Sequence, residues 1–198
     1  MKLYRPYPID QEIQITSKEM MVTKTNMLGD IIYINKTFTS LVGYTKNEII
    51  GTPHDALRHP DMPEAIFFLI SQAIQQEQKI TAIVKNLSKS GEYYWAVTDF
   101  ETLKGKSNTI DSYIAFRQAI PEHHIFSIIE LYDTLLQIEK RRGMDASLHY
   151  LQRHLAERKT NYNELIKKVS RPKSIISRLF TKSKAQTDTE KSIYRVAA

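Results

Sequence analysis

KITAIVKNLSKSGEYYWAVTDFETLKGKSNTIDSYIAFRQA, residues 79–119, is the stretch on which the fold turns. Three runs rich in β-branched and aromatic residues are separated by Lys89-Ser90-Gly91-Glu92 and by a polar turn around Lys104–Asn108. Runs of this length joined by short turns make an antiparallel meander. In the first run the period of two places Ile80, Ala82, Val84 and Asn86 on one face, opposite Thr81, Ile83 and Lys85. Asn86 therefore aims a polar amide toward a core. Trp95 alternates away from Tyr94 and reads as packing on flanking helices, while Arg117 points inward if Tyr113 and Ala115 do.

Working toward the N-terminus, MVTKTN and IIYIN flank Gly29-Asp30 and predict a hairpin, behind a polar opening of about 20 residues. Between Lys36 and Gly51 the period becomes helical in short pieces, with Phe38, Leu41 and Val42 apolar and Gly43 and Gly51 as stops. Pro53, Pro60 and Pro63 interrupt the next stretch, and Asp61 is positioned to cap a helix over residues 62–76. Beyond Pro121, Ile125, Ile128, Ile129, Tyr132, Leu135 and Leu136 trace a helical stripe ending near Gly143. Asp145 is placed to cap a second helix carrying Leu148, Leu151, Leu155, Tyr162, Leu165, Ile166 and Val169, giving a helical hairpin or a dimerising coiled coil. The expected organisation is an N-terminal cap (1–20), a sensor domain (21–120), a helical output segment (121–169) and a basic flexible tail (170–198). The fold class is α+β, a five-stranded antiparallel sheet with short helices on one face.

Composition narrows the function. Across 198 residues there is no cysteine, which removes disulfides, thiolate metal sites, thiol nucleophiles and light reactions through a cysteinyl adduct. No apolar run approaches the roughly 20 residues of a membrane span and no secretory signal opens the chain, so a cytoplasmic location is expected, peripheral to the inner membrane through a partner. Residues 1–120 hold 13 basic and 13 acidic side chains; residues 121–198 hold 15 and 9, so the net charge of +6 lies entirely in the C-terminal part. No phosphate-binding loop, dinucleotide fingerprint, zinc-protease pair or nucleophile elbow is present, and no enzyme is expected. No nucleic-acid motif accompanies the basic tail, whose Lys and Arg residues around Ile175, Ile176, Leu179 and Phe180 suit either solvent or an anionic membrane, at roughly 1 kcal/mol per basic residue. His123-His124 read as a solvated helix entrance rather than a metal site.

Two strands, short helices, one longer helix and a three-strand meander are the element order of a PAS domain. Three strings, NMLGDIIYINKTFTSLVGYTKNEIIG, PHDALRHPDMP and VKNLSKSGEYYW, resemble the PAS sensor of bacterial aerotaxis receptors and their split, membrane-free relatives in energy taxis. The resemblance spans about residues 20–120, and RHPDMP (Arg58–Pro63) is its most specific part. It implies non-covalent FAD, redox sensing, and signalling by contact with a membrane chemoreceptor or its signalling domain, with a homodimer as a further assembly.

An isoalloxazine ring needs apolar walls with amide donors and a cation along one edge. The resemblance points to Asn35 and Asn86 as amide partners, with Arg58, His59 and Asp61 in the flavin-binding string. Ile80, Ala82, Val84, Tyr94, Ala96 and Thr98 would form walls, Phe67 the cover and Arg117 the floor. Duller roles stand beside these: Asn35 as a helix cap, and the Arg58–His59–Asp61 group as a turn held by a salt bridge. Two departures mark this chain. Ser71 stands where the family often has a flavin-holding Trp, a loss of about 1–3 kcal/mol of binding, and Asp55 stands where an Asn is common. The alternatives are haem b, with His54 or His59 as the iron ligand, and a ligand-free PAS scaffold for dimerisation or docking.

Overall fold

A computed structural model describes residues 5–120 and 125–170; His123, His124 and the basic tail lie outside the described residues. The meander forms as the alternation requires: β3 (Ile80–Leu87), β4 (Tyr93–Lys104) and β5 (Ile110–Gln118) pair antiparallel in sequence. The N-terminal hairpin of β1 (Met21–Asn26) and β2 (Ile31–Ile34) then pairs with β5, giving the order β2-β1-β5-β4-β3. Its turn is closed by the Asn26 side-chain oxygen, which accepts from the backbone N–H groups of Leu28 and Asp30.

One face of this sheet is covered by the short helices α1 (Lys36–Val42), α2 (Lys46–Ile49), a 3-10 turn over His54–Leu57, and α3 (Glu64–Gln75). The other face receives the N-terminal segment and the first part of α4 (Phe126–Arg142), while α5 (Met144–Glu157) packs on α3 and α6 (Tyr162–Ser170) along β3. The C-terminal helices pack on their own domain as a hairpin plus a third helix: Tyr132, Leu135, Leu151, Tyr162 and Ile166 join the core. Trp95 packs against Tyr132 with ring centroids 6.3 Å apart, on the outward side that strand alternation assigned to it.

Three local expectations are corrected. The helix after Gly143 is two helices, because the Asn161 side chain caps Glu164 N–H at 2.9 Å and restarts the helix there. Asp145 lies inside the first turn of α5 and Gly143 occupies its cap. Asp61 does not cap α3. The backbone N–H groups of Glu64 and Ala65 instead donate to the carboxylate of Glu139 on α4, at 2.9 and 3.0 Å, so a residue remote in sequence satisfies the orphan donors.

The N-terminal segment runs beside the start of β4, where Ile9 and Ile13 donate to Gly91 and Tyr93 carbonyls and Tyr93 donates to Gln11. Gly91 has φ +94°, and a Cβ there would collide with the backbone carbonyl of Tyr7. Gly91→Ala is expected to destabilise the fold by about 1–3 kcal/mol in urea unfolding and to make residues 5–15 more susceptible to limited proteolysis.

Candidate functional site

The inner face of the sheet, under α1–α3, is apolar except for a chain of polar groups. Strand pairing sets Asn86 opposite Tyr94 and Thr98 opposite Arg117, and Thr23 and Thr25 add hydroxyls from β1, buried beside them. Arg117 is wholly buried. One of its terminal nitrogens donates to Thr23 Oγ1 at 2.9 Å, and the other donates to His54 Nε2. No carboxylate lies within ion-pair distance of it among the described residues. A buried cation with neutral partners is costly, since neither Thr nor neutral His cancels its charge. Burial accordingly pushes the guanidinium pKa down.

The same face carries buried polar atoms without a hydrogen-bond partner: Arg117 Nε, Asn86 Nδ2, Tyr94 Oη, Thr98 Oγ1 and Thr25 Oγ1. Each such donor or acceptor costs about 1–3 kcal/mol when left unmet, and together they form a polar cluster inside the packed inner face. An open cleft of about 390 Å³, lined by His54, Phe67, Phe100 and Tyr113 among others, lies between α3 and the β1–β2 turn; Arg117, Asn86, Tyr94 and Thr98 are buried in the packed inner face and do not line it. That volume is within the ordinary range for small-molecule pockets. Ser71 and Leu28, both exposed, stand at its mouth.

The sequence-predicted residues divide into two groups. Asn86, Tyr94, Thr98, Arg117 and His54 come together on the inner face, and Phe67 lines the cleft. Asn35, Arg58, His59 and Asp61 are placed apart from that group. Asn35 spends its side chain on the protein: its oxygen accepts from Val22 and Phe38 N–H at 3.0 Å each, and its amide donates to Met20 carbonyl at 2.8 Å. His59 turns to the outer side, its ring edge-on to Tyr93, and its Nδ1 accepts from Asp61 N–H at 3.1 Å. Asp61 pairs with Lys85 at 3.1 Å, on the same outward side. Arg58 donates to Met62 carbonyl and lies 4.4 Å from the Phe67 ring, behind the cleft wall. The group therefore secures the loop that covers β3, because its backbone pairs Arg58 with Asn86 and brings His59 N–H to Lys85 carbonyl. Thr23, Thr25 and Tyr113 were missed, although threonines at alternate positions of MVTKTN were a readable signal of polar groups on an inward face.

Among the described residues no group of His, Asp and Glu is arranged to hold a metal ion. No described helix is long and apolar enough to cross a membrane. Residues 31–117 match the family model described as PAS fold. The chain is 29% identical over 130 residues to the aerotaxis receptor of Escherichia coli (strain K12), covering 66% of this chain and 26% of that protein. It is 26% identical over 147 residues to a blue-light-activated histidine kinase of Brucella anthropi, covering 73% and 30% respectively. The chain thus spans between a quarter and a third of the length of these relatives. A light-oxygen-voltage domain solved with a flavin analogue has the same fold, with TM-score 0.51 and 15% identity over 59% of this chain and 89% of that one.

The fold holds two imidazoles neutral: burial and then Arg117 take His54 down to about 3, and burial and then Lys85 take His59 down to about 4. The unfolded chain protonates both near 6.5, so below that pH it binds more protons than the folded chain and stability drops as the pH is lowered. The urea midpoint of the protein is expected to decline steadily from pH 6.5 toward about 3, and His54→Gln to flatten part of that decline. Arg117→Met, measured without added ligand at neutral pH, is expected to match or exceed the parent in stability, by up to about 4 kcal/mol.

Proposed function

We propose that the PAS domain of residues 31–117 is a redox sensor that holds FAD against the inner face of its sheet and signals by contact with a chemoreceptor-type partner. The observation that carries this reading is the buried, uncompensated Arg117 beside the unpartnered atoms of Asn86, Tyr94 and Thr98, in a chain similar to an aerotaxis receptor. Bound flavin would supply reversible electron transfer. The chain's own residues do the rest. Asn86, Tyr94 and Thr98 would hold the polar edge of the ring, with the small side chains Ala82, Val84 and Ala96 beside them on the same buried face. Arg117 favours negative charge on that edge, which raises the potential. His54, neutral, accepts from Arg117 and orients it. With no cysteine in the sequence, a cysteinyl adduct is not available to this chain.

The route outward starts at β3. Ile83 carbonyl, between the pocket residues Ala82 and Val84, accepts from Tyr132 Oη at 2.8 Å, and Tyr132 shares a 2.6 Å hydrogen bond with Tyr162. Thr81 N–H donates to the Asn163 side chain at 2.9 Å. Glu139 holds the first turn of α3, the pocket cover. A shift of β3 or α3 therefore moves α4 and α6, and the helical segment presents the change to the partner. Arg58, His59 and Asp61 enter as positioning residues that hold Phe67 and the loop along β3. The haem alternative is disfavoured by geometry, since His54 Nε2 faces Arg117 and His59 Nδ1 is occupied by Asp61 N–H.

The test is the absorption spectrum of the purified protein, with extraction of the chromophore. A flavin spectrum is expected, and Arg117→Met or Asn86→Ala is expected to raise the FAD dissociation constant at least about tenfold with circular dichroism unchanged. A Soret band, or a colourless protein that takes up no FAD, overturns the reading. On reduction, hydrogen exchange is expected to change within residues 126–170 in the parent and much less in Glu139→Gln.

A further inference from the structure

The outward side of the α4–α5 hairpin, away from the sheet, holds a cleft of about 410 Å³. Ile138, Ala146 and the half-buried Tyr150 form its floor, and Arg141, Arg142 and Arg153 line its rim. No Asp or Glu lines it. Among the described residues Arg141 and Arg142 have no ion-pair partner, and Arg153 has only an exposed contact to Glu157 at 3.9 Å. Such a contact neutralises little. The arginines stand at the C-terminal end of α4 and along α5, so the cations follow the length of the groove.

We propose that this groove docks an acidic amphipathic helix of a partner protein. The floor takes apolar side chains at helical spacing, and the rim meets carboxylates on the flanks of the same helix. Charge selects this occupant over the others. Residues 171–198 of the chain carry seven Lys or Arg and two Asp or Glu, so the tail is repelled by the rim. A second copy offering the same groove brings the same arginines into opposition. Nucleic acid and anionic lipid would satisfy the rim and leave the Ile138–Tyr150 floor without a purpose. The groove shares no residue with the proposed flavin-binding face, and binding is read on the full chain with or without cofactor, so each proposal fails separately.

The experiment titrates the full chain with a labelled synthetic helix of about five turns, Leu along one face and Glu along the other. The probes for comparison are its Lys-for-Glu twin, a short DNA duplex and phosphatidylserine vesicles. The acidic helix is expected to bind, its twin not, and the combined Arg141→Glu and Arg153→Glu variant to lose at least about tenfold in affinity. Tyr150→Ser is expected to weaken binding too, which a purely electrostatic contact would not show. These arginines are exposed, so the charge variant is expected to keep the parent's circular dichroism. Equal binding of both helices, affinity unmoved by either variant, tighter binding of DNA or vesicles through the same arginines, or self-association abolished by the charge variant overturns the proposal.

Discussion

Arg117 is the constraint around which the PAS fold of residues 31–117 is arranged. A guanidinium with no exposure to water and no carboxylate beside it is an expensive element in a small domain, whose whole stability is of the order of 5–15 kcal/mol. The surrounding core is otherwise a good one, built from Met21, Phe38, Leu57, Ile66 and the aliphatic face of β3. The penalty is concentrated at one end of the inner face, together with unmet polar atoms of Asn86, Tyr94 and Thr98. Removing the charge or giving it an anionic partner would each relieve that penalty.

The edge of β3 is the second organising feature. An edge strand presents unpaired N–H and C=O groups that must be covered. Here the cover comes from unrelated parts of the chain: the Arg58–Met62 loop, Tyr132 of α4 and Asn163 of α6. Burial pushes the phenol pKa values of Tyr132 and Tyr162 up, so both remain protonated donors. The same contacts that protect the edge also tie β3 to the C-terminal helices, and Glu139 repeats the tie at the start of α3.

Much of this was legible from residues alone. Alternation placed Asn86 of β3 inward and Trp95 of β4 outward, and the Gly29-Asp30 and Gly91 turns bounded the hairpins. Residues whose partners lie far away in sequence were not. Asp61 stood in the right place to cap α3, yet Glu139, some 75 residues away, fills that role. RHPDMP read as ligand chemistry, and the fold adds partners no local pattern announces: Met62 carbonyl for Arg58 and Lys85 of β3 for Asp61. Asn35 could serve a ligand or a cap, and two backbone donors plus one carbonyl claimed it.

By itself the sequence determined the strand and helix order, the faces of each strand, the absence of thiol chemistry and the placement of excess positive charge. Each of these is set by neighbours in the chain, through side-chain periodicity and turn geometry. Tertiary structure alone decided that Arg117 has His54 and Thr23 for partners with no carboxylate among the described residues, that the C-terminal stripes pack on α3 and β3 of their own chain, and that Asp61 meets Lys85 and Glu139 meets the start of α3. Those outcomes depend on which distant groups meet once water is excluded, and a buried charge or amide takes its meaning from that company.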